Sequence, residues 1–122
     1  MKGRSRTVAE KRFHDLLCRE IGCIACRLNG RRNVPAGIHH IDGRTKPWAH
    51  WYVLPLCNPG HHQDDGTTGA IAVHPHKAQF EQMFGKQRDL LRMCLNMLAE
   101  QGVEVPEPAR RAANGQWTRM VA

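Results

Sequence analysis

The stretch IHHIDGRTKPWAHWYVLPLCNPGHH, residues 38–62, decides the predicted fold of this chain. Two short apolar runs, 38–41 and 51–56, have the composition of strands, and a segment rich in turn formers separates them. An Asn-Pro-Gly turn then follows the second run and leads to His61 and His62. We therefore predict a β-hairpin that is followed by two adjacent histidines.

Helical patterns flank this hairpin on both sides in the sequence. Thr7 and Glu10 have the spacing of a capping box, and apolar residues then recur at helical spacing as far as Gly22. Residues 77–100 carry a second apolar stripe of helical period, in which Gly85 marks a break between two helices. The predicted fold class is a small single α+β domain with an N-terminal helix and C-terminal helices packed across the hairpin.

Composition divides the chain into three parts. Residues 1–6 are expected to be a flexible basic arm, residues 7–101 the folded domain, and residues 102–122 a partly disordered tail that contains Pro106 and Pro108. No apolar run in the sequence reaches the length of a signal sequence or of a membrane span, so we expect a cytoplasmic protein.

The charge balance points to a polyanionic partner. The 122 residues have a formal net charge of +7. This charge favours a polyanionic partner, but it is also compatible with binding to RNA, ribosomes or membranes, or with simple solubility. Aromatic residues make up only 6% of the chain. Because so small a core stabilises a domain only marginally, a bound metal ion would help to hold the fold together.

Cysteine and histidine are concentrated around the hairpin. Seven of the eight histidines lie within residues 39–76, and histidine is the commonest metal ligand in proteins. A CxxC pair precedes the hairpin and a Cys-turn-His knuckle follows it, so together they supply a Cys₃His set for tetrahedral zinc: Cys23, Cys26, Cys57 and His61. The alternative is that these cysteines are buried thiols without metal. That reading is preferred for Cys18 and Cys94.

A second group of histidines surrounds the first strand, and it consists of His39, His40, His62 and His74. Neighbouring side chains of a strand point to opposite faces, so His39 and His40 should have different roles. One imidazole can bind a divalent ion, while the other, with an ordinary pKa of about 6.5, can take a proton from water. Hydrolysis of a phosphodiester requires both of these groups.

The order of these motifs resembles the HNH superfamily and is most similar to the Ref recombination-enhancement nucleases of phages and prophages. The similarity extends over residues 7–100 and rests on Cys-Ile-Ala-Cys at 23–26, His-His-Ile at 39–41, Gly43-Arg44-Thr45, His50, and Val73-His74. It implies that residues 7–101 contain a ββα-metal core in which His40 is the general base. It also implies a structural zinc at Cys23, Cys26, Cys57 and His61, and a catalytic Mg²⁺ or Mn²⁺ ion at His39, His62 and His74.

The sequence departs from these relatives in ways that leave some roles open. Three residues rather than two separate Cys57 from the following histidine pair, so either histidine of that pair is a candidate zinc ligand. His76 competes with His74 as the third ligand of the catalytic ion. The central asparagine of the HNH motif has no obvious counterpart, and His50 or Tyr52 stands nearest to its place.

The function expected from these features is metal-dependent cleavage of DNA. Hydroxide produced by His40 would attack the phosphorus, and Arg44 and Lys46, on the turn after this base, would contact DNA phosphates. The resemblance further implies that cleavage depends on DNA bound in a RecA filament. Trp48 and Trp51 are candidates for base stacking, but the core is the better assignment for both.

Parts of the sequence are also compatible with two other functions. A non-catalytic zinc module that binds nucleic acid would use the same Cys₃His set and the basic loops, but it would not require the additional histidines. A thiol redox protein based on the CxxC pair is disfavoured, because the alternating strand and helix pattern of such proteins is missing around it.

Overall fold

The chain folds as a two-stranded antiparallel sheet with helices before and after it. The computed structural model describes residues 3–116. Its elements in chain order are α1 (Val8–Glu20), α2 (Ile24–Leu28), β1 (Gly37–His40), β2 (Val53–Leu56), α3 (Val73–Phe84), α4 (Gln87–Glu100) and α5 (Glu107–Ala113). The structure thus confirms a small single α+β domain. Within residues 3–116, no helix combines the length and the apolar character needed to cross a membrane.

The hairpin separates the two adjacent histidines of β1. Its register pairs Gly37 with Leu56 at one end and His40 with Val53 at the other. The second strand begins two residues later than predicted, because the residues just before it form a turn. Since side chains alternate along a strand, His39 and His40 face opposite sides of the hairpin.

One apolar core joins α1, α4 and the second strand. All four residues of β2 are buried, and they pack with buried side chains of the helices, which include Phe13, Leu17, Ile21, Leu90, Leu91 and Leu98. The capping box predicted for α1 is confirmed. The Thr7 hydroxyl accepts from the Glu10 N–H at 3.1 Å, and the Glu10 carboxylate accepts from the Thr7 N–H at 2.7 Å.

Two glycines determine how the helices meet the rest of the fold. Gly22 has a φ of +69°, and a Cβ at this position would lie 2.7 Å from the carbonyl oxygen of Val34. This close approach allows the Cys23 N–H to donate to the same carbonyl at 3.0 Å. Gly85, with a φ of +106°, ends α3 just before α4 begins, so the predicted break between two helices is confirmed.

Part of the segment 102–122 is more ordered than the predicted partly disordered tail. Residues 107–113 form α5, whose alanines 109, 112 and 113 are buried against α4. Pro106 and Pro108 lie at the start of this helix, where a missing N–H costs little. Residues 117–122 lie outside the described part of the chain.

The described part of the predicted basic arm makes hydrogen bonds with the rest of the domain. The Arg4 N–H donates to the Arg44 carbonyl at 2.8 Å, and the Arg4 Nε donates to the Thr45 carbonyl at 2.9 Å. Arg6 lies 3.1 Å from the His14 ring. The first two contacts attach Arg4 to the turn that follows β1, and the third attaches Arg6 to α1. Residues 1 and 2 lie outside the described range.

Candidate functional site

The predicted Cys₃His set is brought together in space, and we call it the sulfur cluster: Cys23, Cys26, Cys57 and His61. The Sγ atoms of Cys26 and Cys57 are 3.8 Å apart, and the three Sγ atoms lie 3.3–3.5 Å from the His61 Nδ1. A tetrahedral zinc ion with ordinary bond lengths would require separations of roughly 3.8 Å between sulfurs and 3.5 Å between sulfur and nitrogen. The residues therefore fit a metal ion such as zinc.

Local backbone structure positions these ligands. The Cys26 N–H donates to the Cys23 Sγ at 3.4 Å, which makes Cys23 the N-cap of α2. The His61 N–H donates in the same way to the Cys57 Sγ at 3.3 Å. Gly60 is required between them, because a Cβ at that position would lie 2.7 Å from the Cys57 Sγ.

Thiolates in the sulfur cluster would need compensating positive charge. Burial raises the pKa of the Cys23 thiol to about 12, so the thiolate that zinc binds is unfavourable without a compensating positive charge. Arg31 supplies part of this charge by donating to the Cys26 Sγ at 3.4 Å. A divalent ion in the middle of the four ligands would supply the rest.

A second group, which we call the open cluster, consists of His39, His62 and His74. Its ligand nitrogens lie within 4.8 Å of one another, and the His39 ring centroid is 5.0 Å from those of His62 and His74. The His74 N–H donates to the His62 carbonyl at 3.1 Å, which brings the start of α3 beside the turn after β2. His76 is not among the described residues that form this group, so the geometry favours His74 over it.

The open cluster contains a buried nitrogen that has no partner among residues 3–116. His39 is 2% exposed, and its Nδ1 makes no hydrogen bond there. Its other nitrogen, Nε2, lies 2.7 Å from the Gln87 side-chain oxygen. An unpaired buried imidazole nitrogen is costly unless a ligand occupies it. The donor set therefore fits a divalent ion that binds imidazole.

The sequence did not predict a third group, the linked cluster, which consists of His14, His40 and His50. The His50 Nε2 is 2.6 Å from the Arg4 carbonyl oxygen, which can only accept, so this nitrogen carries the proton. The His50 Nδ1 must then accept from the His40 Nε2–H, 3.0 Å away. It follows that neutral His40 carries its lone pair on Nδ1.

The same reasoning fixes the protonation of His14 in the linked cluster. Its Nε2 donates to the His50 carbonyl oxygen at 2.7 Å, while its Nδ1 accepts from Arg6 at 3.1 Å. The donors and acceptors therefore form a consistent chain from α1, through His50, to β1. This chain holds His40 in one tautomer and one orientation.

Burial keeps the central imidazoles neutral. Burial, together with the neighbouring His50 and Arg44, lowers the pKa of His40 to about 3. Burial also lowers the pKa of His39 to about 4, against an opposing hydrogen bond from Gln87. Both imidazoles therefore keep a lone pair at neutral pH, which a metal ligand and a proton acceptor each require.

The open cluster and the linked cluster border one cavity of about 540 Å³. Arg44, which was predicted to contact DNA phosphates, lines this cavity, and Arg6, for which no role was predicted, lines it as well. Lys46 lies on the same turn but is exposed, 3.8 Å from the Asp42 carboxylate and 5.4 Å from the Trp48 ring. A pocket with two arginines beside neutral imidazoles is suited to an anionic ligand.

The two tryptophans of the hairpin region pack with the core. Trp48 and Trp51 are partly buried against it, and the Trp51 ring lies 5.5 Å from the Phe13 ring. This arrangement favours the core assignment over base stacking. Cys94 is fully buried, also as predicted, while Cys18 is only partly buried.

The sequence analysis missed His14 and Gln87, of which only His14 left a signal, and it left His50 and Tyr52 open as the counterpart of the central HNH residue. His14 lies on the buried face of α1 with Glu10 and Leu17, at the spacing of a helix stripe. A polar residue within such a stripe indicates a specific partner. Gln87 begins α4 and shows no pattern that would separate it from a surface residue.

A family model matches most of this chain. The chain matches the family described as recombination enhancement, RecA-dependent nuclease over residues 6–99. The match spans the hairpin and every member of the sulfur, open and linked clusters. Because it covers most of the chain, this protein belongs to the recombination enhancement, RecA-dependent nuclease family.

Proposed function

We propose that this protein is a metal-dependent DNA endonuclease with an HNH-type, ββα-metal active site. The main support is the contrast between two neighbouring residues of β1, because His39 joins a cluster that fits a metal ion while His40 joins a cluster that fixes its tautomer. The family description, which names a nuclease, supports the same reaction class. The sulfur cluster would hold a structural zinc ion.

The open cluster would hold the catalytic divalent ion. Of the two ions expected from the sequence, Mn²⁺ suits three imidazoles better than Mg²⁺, which prefers oxygen ligands. When bound, such an ion would stabilise negative charge on the phosphate and on the leaving 3′-oxygen.

His40 would act as the general base. Its Nδ1 would accept a proton from water, and the resulting hydroxide would attack the phosphorus. His50 would orient the ring by accepting the Nε2–H, and it would stabilise the imidazolium that forms. A DNA phosphate in the cavity would raise the pKa of His40 from its low value toward neutrality, because a nearby negative charge favours the protonated imidazole.

DNA would be held mainly through its phosphates. Arg44 and Arg6 line the cavity, Lys46 lies on the adjacent turn, and the net charge of +7 favours a polyanion. The family description also supports a RecA filament as the partner that presents the DNA. Such a partner would place the protein in the bacterial cytoplasm.

The first test is plasmid nicking by the zinc-loaded protein with added Mn²⁺, in the presence and absence of RecA. His40→Ala should lower cleavage by roughly 10²- to 10⁴-fold while leaving the zinc content and DNA binding unchanged, because it deletes the proton acceptor and lies outside the sulfur cluster. His76→Ala is a matched control, since it removes an exposed histidine outside the three clusters. Nicking by His40→Ala at the wild-type rate would refute the assignment of the base.

The RecA dependence needs a separate substrate comparison. Strand-invasion joints formed by RecA should be cut faster than the same DNA without RecA, if the filament presents the strand to the cavity. Equal cutting of both substrates would remove RecA from the proposal and leave the nuclease assignment intact.

A further inference from the structure

Two residues of the C-terminal helices extend the open cluster away from the cavity. Gln87, at the start of α4, is 4% exposed, and its Oε1 lies 2.7 Å from the His39 Nε2. Its Nε2 donates to the Glu81 carboxylate of α3 at 3.0 Å. Gly85 ends α3 between these two residues and allows their side chains to meet.

The Glu81 carboxylate determines which atom donates and which accepts in each hydrogen bond from Glu81 through Gln87 to His39. The Glu81 carboxylate can only accept, so the Gln87 amide must turn its NH₂ group toward it. The Gln87 oxygen then faces His39 and accepts, which requires the proton of His39 to be on Nε2. The lone pair of His39 must therefore be on Nδ1, the buried nitrogen that has no partner among the described residues.

We propose that Glu81 and Gln87 are positioning residues that hold His39 in the tautomer able to bind the divalent ion. This inference rests on the proposed function, because it assigns a purpose to the Nδ1 lone pair within the open cluster. Outer-shell hydrogen bonds of this kind orient a metal-binding imidazole and increase its basicity, and their loss weakens metal affinity by roughly 10- to 100-fold.

The inference is tested by the affinity of the zinc-loaded protein for Mn²⁺, measured by calorimetry or by electron paramagnetic resonance. Gln87→Leu should weaken Mn²⁺ binding by about 10- to 100-fold, because His39 loses its acceptor. Gln82→Leu is the matched control, since it removes an exposed glutamine of α3 and should leave the affinity unchanged.

We call the series of hydrogen bonds from Glu81 through Gln87 to His39 the relay. Exchanging the side chains of Glu81 and Gln87 distinguishes this relay from simple packing. Gln87→Glu alone places two carboxylates within hydrogen-bonding distance and should weaken Mn²⁺ binding through their repulsion. Combined with Glu81→Gln, it should restore the affinity, because the carboxylate at position 87 accepts the His39 Nε2–H while the amide at position 81 donates to that carboxylate. A double variant no better than Gln87→Glu would contradict the relay.

Nitrogen-15 NMR of the histidine rings measures the tautomer of His39 and requires neither bound metal nor catalytic activity. Wild-type His39 should show one tautomer, with a protonated Nε2 and an unprotonated Nδ1. In Gln87→Leu, His39 should no longer be held in that single tautomer. If wild type binds Mn²⁺ and Gln87→Leu retains both the affinity and the tautomer, the relay is wrong and the nuclease proposal is unaffected. If wild type binds no Mn²⁺ at the open cluster, the catalytic metal of the proposed function fails instead.

Discussion

The sulfur cluster and the open cluster are neighbours along the chain, since His61 belongs to one and His62 to the other, but they differ in access. Cys23, Cys26 and His61 are at most 4% exposed, whereas His74 of the open cluster is exposed and borders the cavity. Structural zinc sites use four protein ligands, and catalytic sites keep a position open for water or substrate. One turn after β2 thus divides the histidines between a closed group of ligands and an open one.

The largest effect should come from breaking the sulfur cluster. Cys26→Ala is expected to abolish zinc binding and cooperative folding, because structural zinc contributes about 10–16 kcal/mol while a domain of this size is stable by about 5–15 kcal/mol. Thermal unfolding followed by circular dichroism, together with metal analysis, measures this effect. A zinc-free variant that still unfolds cooperatively near the wild-type temperature would show that the four residues are not a structural metal site.

Substitutions of the adjacent His61 and His62 should affect different properties, metal-dependent folding in one case and cleavage in the other. His62→Ala is expected to keep its zinc and its melting temperature but to lose cleavage by roughly 10³-fold, since several kcal/mol of charge stabilisation disappear with the catalytic ion. His61→Ala should instead lose zinc. If both variants lose the same metal, or show the same change in melting temperature and cleavage, His61 and His62 do not belong to two different sites.

The linked cluster allows a graded test of the base. His40→Ala should lower the rate by roughly 10²- to 10⁴-fold, whereas His50→Ala should lower it by about 10- to 100-fold, because only the hydrogen bond that orients the base is lost. His50→Asn should recover part of the rate, since its amide oxygen can accept the His40 Nε2–H. Single-turnover rates measure this order, and equal loss in His50→Ala and His50→Asn would argue against an orienting acceptor.

The smallest effect expected is on stability at low pH. The pKa of His40 is lowered to about 3 in the folded protein, mainly by burial, against about 6.5 in an unfolded chain. The unfolded state therefore binds the proton first, and stability that is fully present above pH 6.5 is lost as the pH falls from 6.5 toward 3. His40→Asn should reduce the fall in melting temperature between pH 7 and 5 by roughly 2–5 °C, and an unchanged slope would contradict the burial of a neutral His40.

The predicted ligand sets illustrate what local patterns can establish. The CxxC pair and the Cys-turn-His knuckle each bring two ligands together over a few residues, and the structure joins all four. Alternation along β1 likewise predicted different surroundings for His39 and His40, which is what the register produces. The choice of His61 rather than His62 for the sulfur cluster required the three-dimensional path of the turn.

Local sequence patterns were therefore enough to predict the hairpin, the α1 cap, the break at Gly85 and the types of ligand, because each depends on residues close together in the chain. The tautomers of the clustered histidines depend instead on contacts that form only in the folded chain. His14 meets the backbone of His50 across 36 positions, and His39 meets Gln87 across 48. Local sequence patterns cannot predict such contacts, because hydrogen bonds between residues far apart in the chain form only when packing buries both partners together.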